Sequence, residues 1–233
     1  MGNIALIAAA GSGSRMKMST KKQYLEIAGQ PMLARTVLLF QKNKKIDDIY
    51  IITPPEDISL CQKVVSQWCG QRKIKGIISG GKTRFESVYN GITQIKLEEK
   101  DKVLIHDGAR PFVSQSLIDA IVDKLYQQDV CGVIPGISVK DTIKKVNGDN
   151  IVGTPPRDQL IAAQTPQGFC AQTLKDLYIK ADKDNLQGLT DDSSLLEHYK
   201  YPVYYIIGEE KNFKVTTPQD LQIAQLQVKE GTK

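Results

Sequence analysis

Hydrophobic positions along this chain alternate between two rhythms. Short, nearly unbroken apolar runs fall near Asn3–Ala9, Asp48–Thr53, Ile74–Ser79, Lys102–Ile105, Cys131–Pro135 and Val203–Ile207. Runs of this kind predict strands buried on both faces. Between them, apolar residues recur at helical spacing. Pro31 stands where a first helical turn tolerates proline, ahead of Leu33, Val37, Leu38 and Phe40. Thr83 is a candidate N-cap for a helix with Phe85, Val88, Ile92 and Ile95 on one face. Leu117, Ile118, Ile121, Val122 and Leu125 form another stripe, and Thr217-Pro218 opens a last helix carrying Leu221, Ala224 and Leu226. The alternation predicts an α/β protein: a mostly parallel, Rossmann-like sheet with helices on both faces.

One segment breaks the rhythm. From Ser138 to Val146 apolar and polar residues alternate, and Asn147-Gly148 is a strong hairpin signal. An isolated two-stranded ribbon is marginally stable in water. This arm, about residues 137–158, is therefore expected to pack on a second copy of the chain, giving a homodimer. The rest of the chain reads as a single domain.

Composition narrows the class. The 233 residues are 41% hydrophobic, enough for one substantial core, and 31 basic against 26 acidic side chains leave a net charge of +5. That mild, dispersed excess suits anionic substrates; a nucleic-acid surface would cluster basic residues with aromatics. No apolar run approaches a membrane span, and the N-terminus lacks a signal peptide's basic start. Cys61, Cys69, Cys131 and Cys170 show no metal-ligand spacing, which predicts reduced thiols in a cytoplasmic protein.

Candidate chemistry begins where the first strand ends. Ile4 to Met16 reads I-A-L-I-A-A-A-G-S-G-S-R-M. Gly11 and Gly13 allow close approach of a ligand to the backbone, and Arg15 adds a fork suited to phosphate oxygens. Met16 occupies the place where a dinucleotide fingerprint needs a third small residue. Gly76 to Thr83 spells a P-loop, but Ile77 and Ile78 look like strand, so the match is read as a coincidence of spelling. Gly80-Gly81 still forms a plausible ligand-facing turn. Lys21 and Lys22 follow the glycine loop closely enough for a lysine to reach the same phosphates. Asp107, after a strand end, is placed to bind Mg²⁺ beside a triphosphate, whereas His106 reads as structural. Gln164–Gln167 and Leu189–Asp192 are polar turns that serve either as helix caps or as site elements. Lys214 precedes the last helix.

Eight segments in order resemble one family: A-A-A-G-S-G-S-R-M, K-K-Q-Y-L, G-G-K-T-R-F-E-S-V, I-H-D-G-A-R-P-F, V-K-D-T-I, A-Q-T-P-Q-G-F, T-D-D-S-S-L-L-E and N-F-K-V-T-T-P-Q-D-L. They span Ala8 to Leu221, and the resemblance is to the 2-C-methyl-D-erythritol 4-phosphate cytidylyltransferases. It implies transfer of CMP from CTP to methylerythritol phosphate with release of pyrophosphate, and Mg²⁺ as cofactor. Arg15 and Lys22 would stabilise the pentavalent centre, with Lys214 near the α-phosphate and Asp107 on the metal. Ala9, Ala10, Gly11, Gly81 and Ser87 would line the cytosine and ribose pocket. Thr142 and Arg157 of the arm would hold the methylerythritol phosphate in the partner's site, with Thr165 and Thr190 as further second-substrate positions. Of the two lysines, Lys22, aligned with Q-Y, is the better match. Ribitol 5-phosphate cytidylyltransferases share the nucleotide motifs but usually have Ser-Val at Gly108-Ala109 and Ala-Cys at Asp192-Ser193. A P-loop NTPase using Lys82 and a non-catalytic nucleotide-binding regulator are the remaining alternatives.

Overall fold

The computed structural model describes residues 1–11, 21–70, 72–186 and 188–230. Gly13 and Arg15 therefore lie outside the described residues. The apolar runs form the strands expected of them. Strands β1 (Asn3–Ala8), β4 (Asp48–Thr53), β5 (Ile74–Ser79) and β6 (Lys102–Asp107) pair in parallel in the order β6-β1-β4-β5. Strand β6 runs two residues past its apolar run, so His106 and Asp107 are in the strand itself.

Beyond β6 the sheet changes character. Strand β11 (Gln167–Cys170) is antiparallel to both β6 and β7 (Gly132–Ser138). Strand β10 (Ile161–Ala163) is antiparallel to β7, and β12 (Tyr204–Ile207) parallel to it, which completes eight strands. A small ribbon, β2 (Glu26–Ile27) with β3 (Gln30–Pro31), leads into the first helix.

Both faces of the sheet are buried at its centre, which is why β1 reads as an unbroken apolar run. Ala5 and Ile7 point to one face, with helices α1 (Met32–Lys42), α2 (Ile58–Trp68) and α4 (Gln115–Leu125). Ile4 and Leu6 point to the other, with α3 (Arg84–Gln94), α5 (Ala171–Lys183) and α6 (Ser193–His198). Leu6 is fully buried, and Leu6→Ala should cost about 2–5 kcal/mol through lost burial and the cavity left behind. The caps follow the sequence: Thr83 accepts from Glu86 N at 3.1 Å, and Ser114 from Leu117 N at 3.0 Å.

Three expectations need correction. Pro31 ends β3 and stands as N-cap; the helix begins at Met32. In α7 (Pro218–Glu230), Ala224 is buried but Leu226 faces solvent. Two residues along a helix is more than half a turn, so Leu226 leaves the face that Leu221, Ala224 and Val228 present to Ile27 and Met32. The arm is also shorter than its alternation suggests. Residues 139–144 carry no strand, and the ribbon is β8 (Lys145–Asn147) with β9 (Asn150–Gly153), turning at Gly148 with φ 57°. That left-handed φ is why glycine sits there. Gly76 to Ile78 lie inside β5, paired with Tyr50 to Ile52, so they form no phosphate loop.

Candidate active site

The carboxyl ends of β1, β4, β5 and β6 lie side by side, the usual place for a ligand in an open α/β sheet. The backbone continues their ladder one step further: Ala9 N donates to Ile52 O, Gly80 N to Thr53 O and Gly108 N to Ala8 O, at 2.8–2.9 Å. Above them opens a cavity of about 370 Å³. Ala9, Ala10 and Gly11 line it just after β1; Lys82, Arg84 and Ser87 from the turn into α3 and its first turn; Asp107 from β6; and Lys22 and Lys214 complete the lining. The β5–α3 turn needs its glycine: a Cβ on Gly80 would meet Ala10 Cβ at 2.8 Å. Ser87 donates to Thr83 O at 2.8 Å and accepts from Gly81 N at 3.0 Å, so its hydroxyl braces this wall. Gly81 is not itself among the lining residues.

Asp107 is the carboxylate of the cavity. It is buried, and both Lys214 Nζ (2.9 Å) and Arg110 Nε (3.3 Å) meet its Oδ2. Burial would raise its pKa, but Lys214, Arg84 and Arg110 outweigh burial and hold the carboxyl well below the usual carboxylate range. Lys214 is placed by its loop: Val215 N donates to Ala109 O at 2.9 Å, and Arg110 Nη1 to Asn212 O at 2.8 Å. Thr165 lies beneath. Its hydroxyl accepts from Asp107 N at 3.0 Å and lies 3.0 Å from His106 Nδ1. His106 Nε2 lies 3.0 Å from Arg110 O, so both ring nitrogens are occupied by the protein. Burial lowers the His106 pKa to about 4, which keeps the ring neutral near pH 7.

The two lysines after the glycine loop separate clearly. Lys21 Nζ pairs with Glu56 at 2.8 Å and Asp57 at 2.9 Å, whereas Lys22 lines the cavity. Tyr24 OH, 3.1 Å from Thr53 Oγ1, pins their turn to the end of β4. Other predicted residues lie apart from the cavity. Thr142 and Arg157 meet each other, with Arg157 Nη2 donating to Thr142 Oγ1 at 3.1 Å on the exposed arm. Thr190 lies 3.4 Å from Ser194 Oγ just ahead of α6. The helix-cap reading of this turn holds for Asp191, whose Oδ1 accepts from Ser194 N at 3.0 Å.

Sequence reasoning passed over Arg84 and Arg110, and took up Lys82 only within the P-loop alternative. A signal existed, since all are basic residues within three positions of Gly81 or Asp107, in segments already singled out. No group of three or more metal-ligating side chains occurs among the described residues. A single ionised carboxylate still fits Mg²⁺, which is commonly held by one or two carboxylates together with substrate phosphates. Among the described residues no helix is long and apolar enough to cross a membrane.

Among the described residues, a cavity at the carboxyl ends of a parallel sheet that gathers Lys22, Lys82, Arg84 and Lys214 around the single lining carboxylate of Asp107 has the make-up of a nucleotidyltransferase-type site. The family model for IspD, 2-C-methyl-D-erythritol 4-phosphate cytidylyltransferase, matches residues 3–230. A protein of that name from Geotalea uraniireducens is 40% identical over 222 residues, 95% of this chain and 94% of its own. Another from Syntrophotalea carbinolica is 42% identical, with 94% of this chain and 93% of its own covered. Among solved structures, 4-diphosphocytidyl-2C-methyl-D-erythritol synthase from Anaerococcus prevotii superposes with a TM-score of 0.84 at 30% identity, covering 98% and 96% of the two chains. The Francisella tularensis cytidylyltransferase gives 0.82 at 30%, with 97% and 100% covered. This chain belongs to the 2-C-methyl-D-erythritol 4-phosphate cytidylyltransferase family.

Proposed function

We propose that the chain transfers CMP from CTP to 2-C-methyl-D-erythritol 4-phosphate, with the cavity above β1 and β6 as its nucleotide site. The observation that carries the reading is the convergence of Lys22, Arg84 and Lys214 with the ionised Asp107 on one cavity. A phosphate oxygen of the alcohol phosphate attacks the α-phosphorus in line. The new P–O bond forms as the bond to the β-phosphate bridge breaks, and pyrophosphate leaves. Such a step needs position and charge neutralisation and little covalent chemistry. Lys22, with Arg15 by family resemblance, neutralises charge on the pentavalent centre and the departing pyrophosphate. Lys214 serves the α-phosphate side. Ala9, Ala10, Gly11 and Ser87 leave room for the cytosine and ribose, and Gly81 shapes that wall through Ser87. Asp107 would hold Mg²⁺ through its carboxylate; when bound, the ion supplies charge neutralisation on the phosphates. Thr165 acts through Asp107, whose backbone it holds.

The alcohol-phosphate end is proposed to be completed by a second chain. Val146, Ile151 and Val152 of the arm are more than 60% exposed, as are Tyr205 and Ile207 of β12. An apolar surface of this extent supports a homodimer in which Thr142 and Arg157 of one chain reach the site of the other, with Thr190 a further contact for the alcohol. The remaining residues act as one nucleotidyltransferase domain. Four free thiols support a cytoplasmic location.

Pyrophosphate release with CTP, Mg²⁺ and methylerythritol phosphate tests the reading, with D-ribitol 5-phosphate as the comparison arm. Turnover should require the methylerythritol substrate. Equal or faster turnover with ribitol 5-phosphate would assign the chain to the other alcohol.

A further inference from the structure

Arg84 is the first residue of α3 and lines the cavity, yet its guanidinium is tied to a partner outside it. Asp192, fully buried just before α6, receives Arg84 Nη1 at 2.9 Å and Arg84 Nη2 on its other oxygen. Tyr178 OH of α5 donates to the same carboxylate at 2.6 Å. The backbone at this point is fixed as well: Asp192 N and Ser193 N donate to Gln167 Oε1 at 3.2 and 3.1 Å, and Gln167 Nε2 donates to Asp191 Oδ2 at 2.7 Å. Gln167 itself begins β11, two residues after the threonine that holds Asp107.

A buried ion pair is weak support for stability, because desolvation offsets most of the attraction. In some proteins such a pair serves instead to fix geometry. Here the geometry fixed is that of the cavity wall. Arg84 lies one turn ahead of Ser87, and Ser87 ties Thr83 and Gly81 together on the β5–α3 turn. Asp192 is not among the residues lining the cavity, and of the residues its carboxylate contacts Arg84 is the one that lines it. We propose that Asp192, seated by Tyr178 and Gln167, is a positioning residue for the nucleotide site, clasping Arg84 so that the N-terminal turn of α3 is set for CTP before CTP arrives. The clasp joins the turn around Thr190, proposed above as a second-substrate contact, to the nucleotide wall. A change at one is therefore felt at the other.

The inference rests on the cavity being the CTP site, so calorimetry of CTP with Mg²⁺ and wild-type protein comes first; absence of binding there removes the site reading itself. With wild-type binding established, Asp192→Asn should weaken CTP binding and raise KM for CTP about tenfold, with kcat changed less than about threefold. Arg84→Ala should do the same, and the double variant should be no worse than the poorer single one, because both break one clasp. Tyr178→Phe, which leaves the ion pair in place, should raise KM about two- to threefold and serves where Asp192→Asn fails to fold. Folded variants with unchanged CTP affinity, or penalties that multiply in the double variant, would overturn the clasp. So would an equal loss of kcat and CTP affinity that tracks lowered Tm alone.

Discussion

The nucleotide cavity and the arm use the same chain in opposite ways. Around the cavity, the titratable groups named above find partners within one chain: Asp107 with Lys214 and Arg110, His106 with Thr165 and Arg110, and Lys21 with Asp57. Its walls rest on two apolar layers that bury the central strands on both faces. In the arm the relation is reversed. The polar pair Thr142–Arg157 is exposed, and valine and isoleucine side chains point into water. A region that satisfies itself is ready to bind a ligand as a monomer; a region that leaves apolar surface bare is unfinished until something covers it. Nucleotide binding should therefore belong to one chain, and productive catalysis to two.

The largest effect expected lies on the self-sufficient side. Asp107→Asn keeps size but removes the negative charge, and pyrophosphate release should fall about 10³-fold at ordinary Mg²⁺. Raising Mg²⁺ should restore part of it. Full activity at low Mg²⁺ would remove Asp107 from the metal. Next comes a stability test of the same region. His106 has a folded-state pKa of about 4, below the value near 6.5 of an unfolded chain. Between these values the unfolded chain takes up a proton and the folded one does not. The stabilisation is complete above about pH 6.5 and is lost as pH falls to about 4, by roughly 3 kcal/mol for a fully buried ring. Urea unfolding across that range should show the loss, and His106→Gln should flatten it. An unchanged slope would mean that His106 is not shielded as described.

The arm is tested by mixing. Arg157→Ala and Arg15→Ala should each lower turnover about 10²-fold. Mixed and allowed to exchange subunits, they should recover activity, since one composite site in each heterodimer then carries both wild-type residues. Random pairing makes about half the dimers mixed, each with one working site, so recovery should approach roughly a quarter of wild type. No recovery after verified exchange would return Arg157 to its own chain. The mildest change for folding is Ile151→Glu. Sedimentation should show dissociation into monomers, with Tm within about 2 °C and CTP binding retained, because an exposed side chain contributes little to the fold. Loss of CTP binding in that monomer would break the contrast between the two regions.

Periodicity and capping are local properties, and what they control was legible without coordinates. The strands Asp48–Thr53 and Ile74–Ser79, the Thr83 cap, the helix from Pro218 and the place of Asp107 at a strand end all follow from a few neighbouring residues. The glycine turn at Gly80-Gly81 and the hairpin glycine are of the same kind. What needed the tertiary structure are relations across the chain. Arg84 and Asp192 are 108 positions apart, and nothing local distinguishes that arginine from a solvated one. Lys21 and Lys22 are neighbours of identical type, separated only by the acidic pair Glu56 and Asp57 that the fold brings to one of them. The antiparallel insertion of β11 between β6 and β7 likewise depends on which strand edges are left open once the parallel half has assembled. A side chain's spacing tells which face it takes; only the packed sheet decides what that face meets, because burial and long-range pairing are properties of the assembled layers.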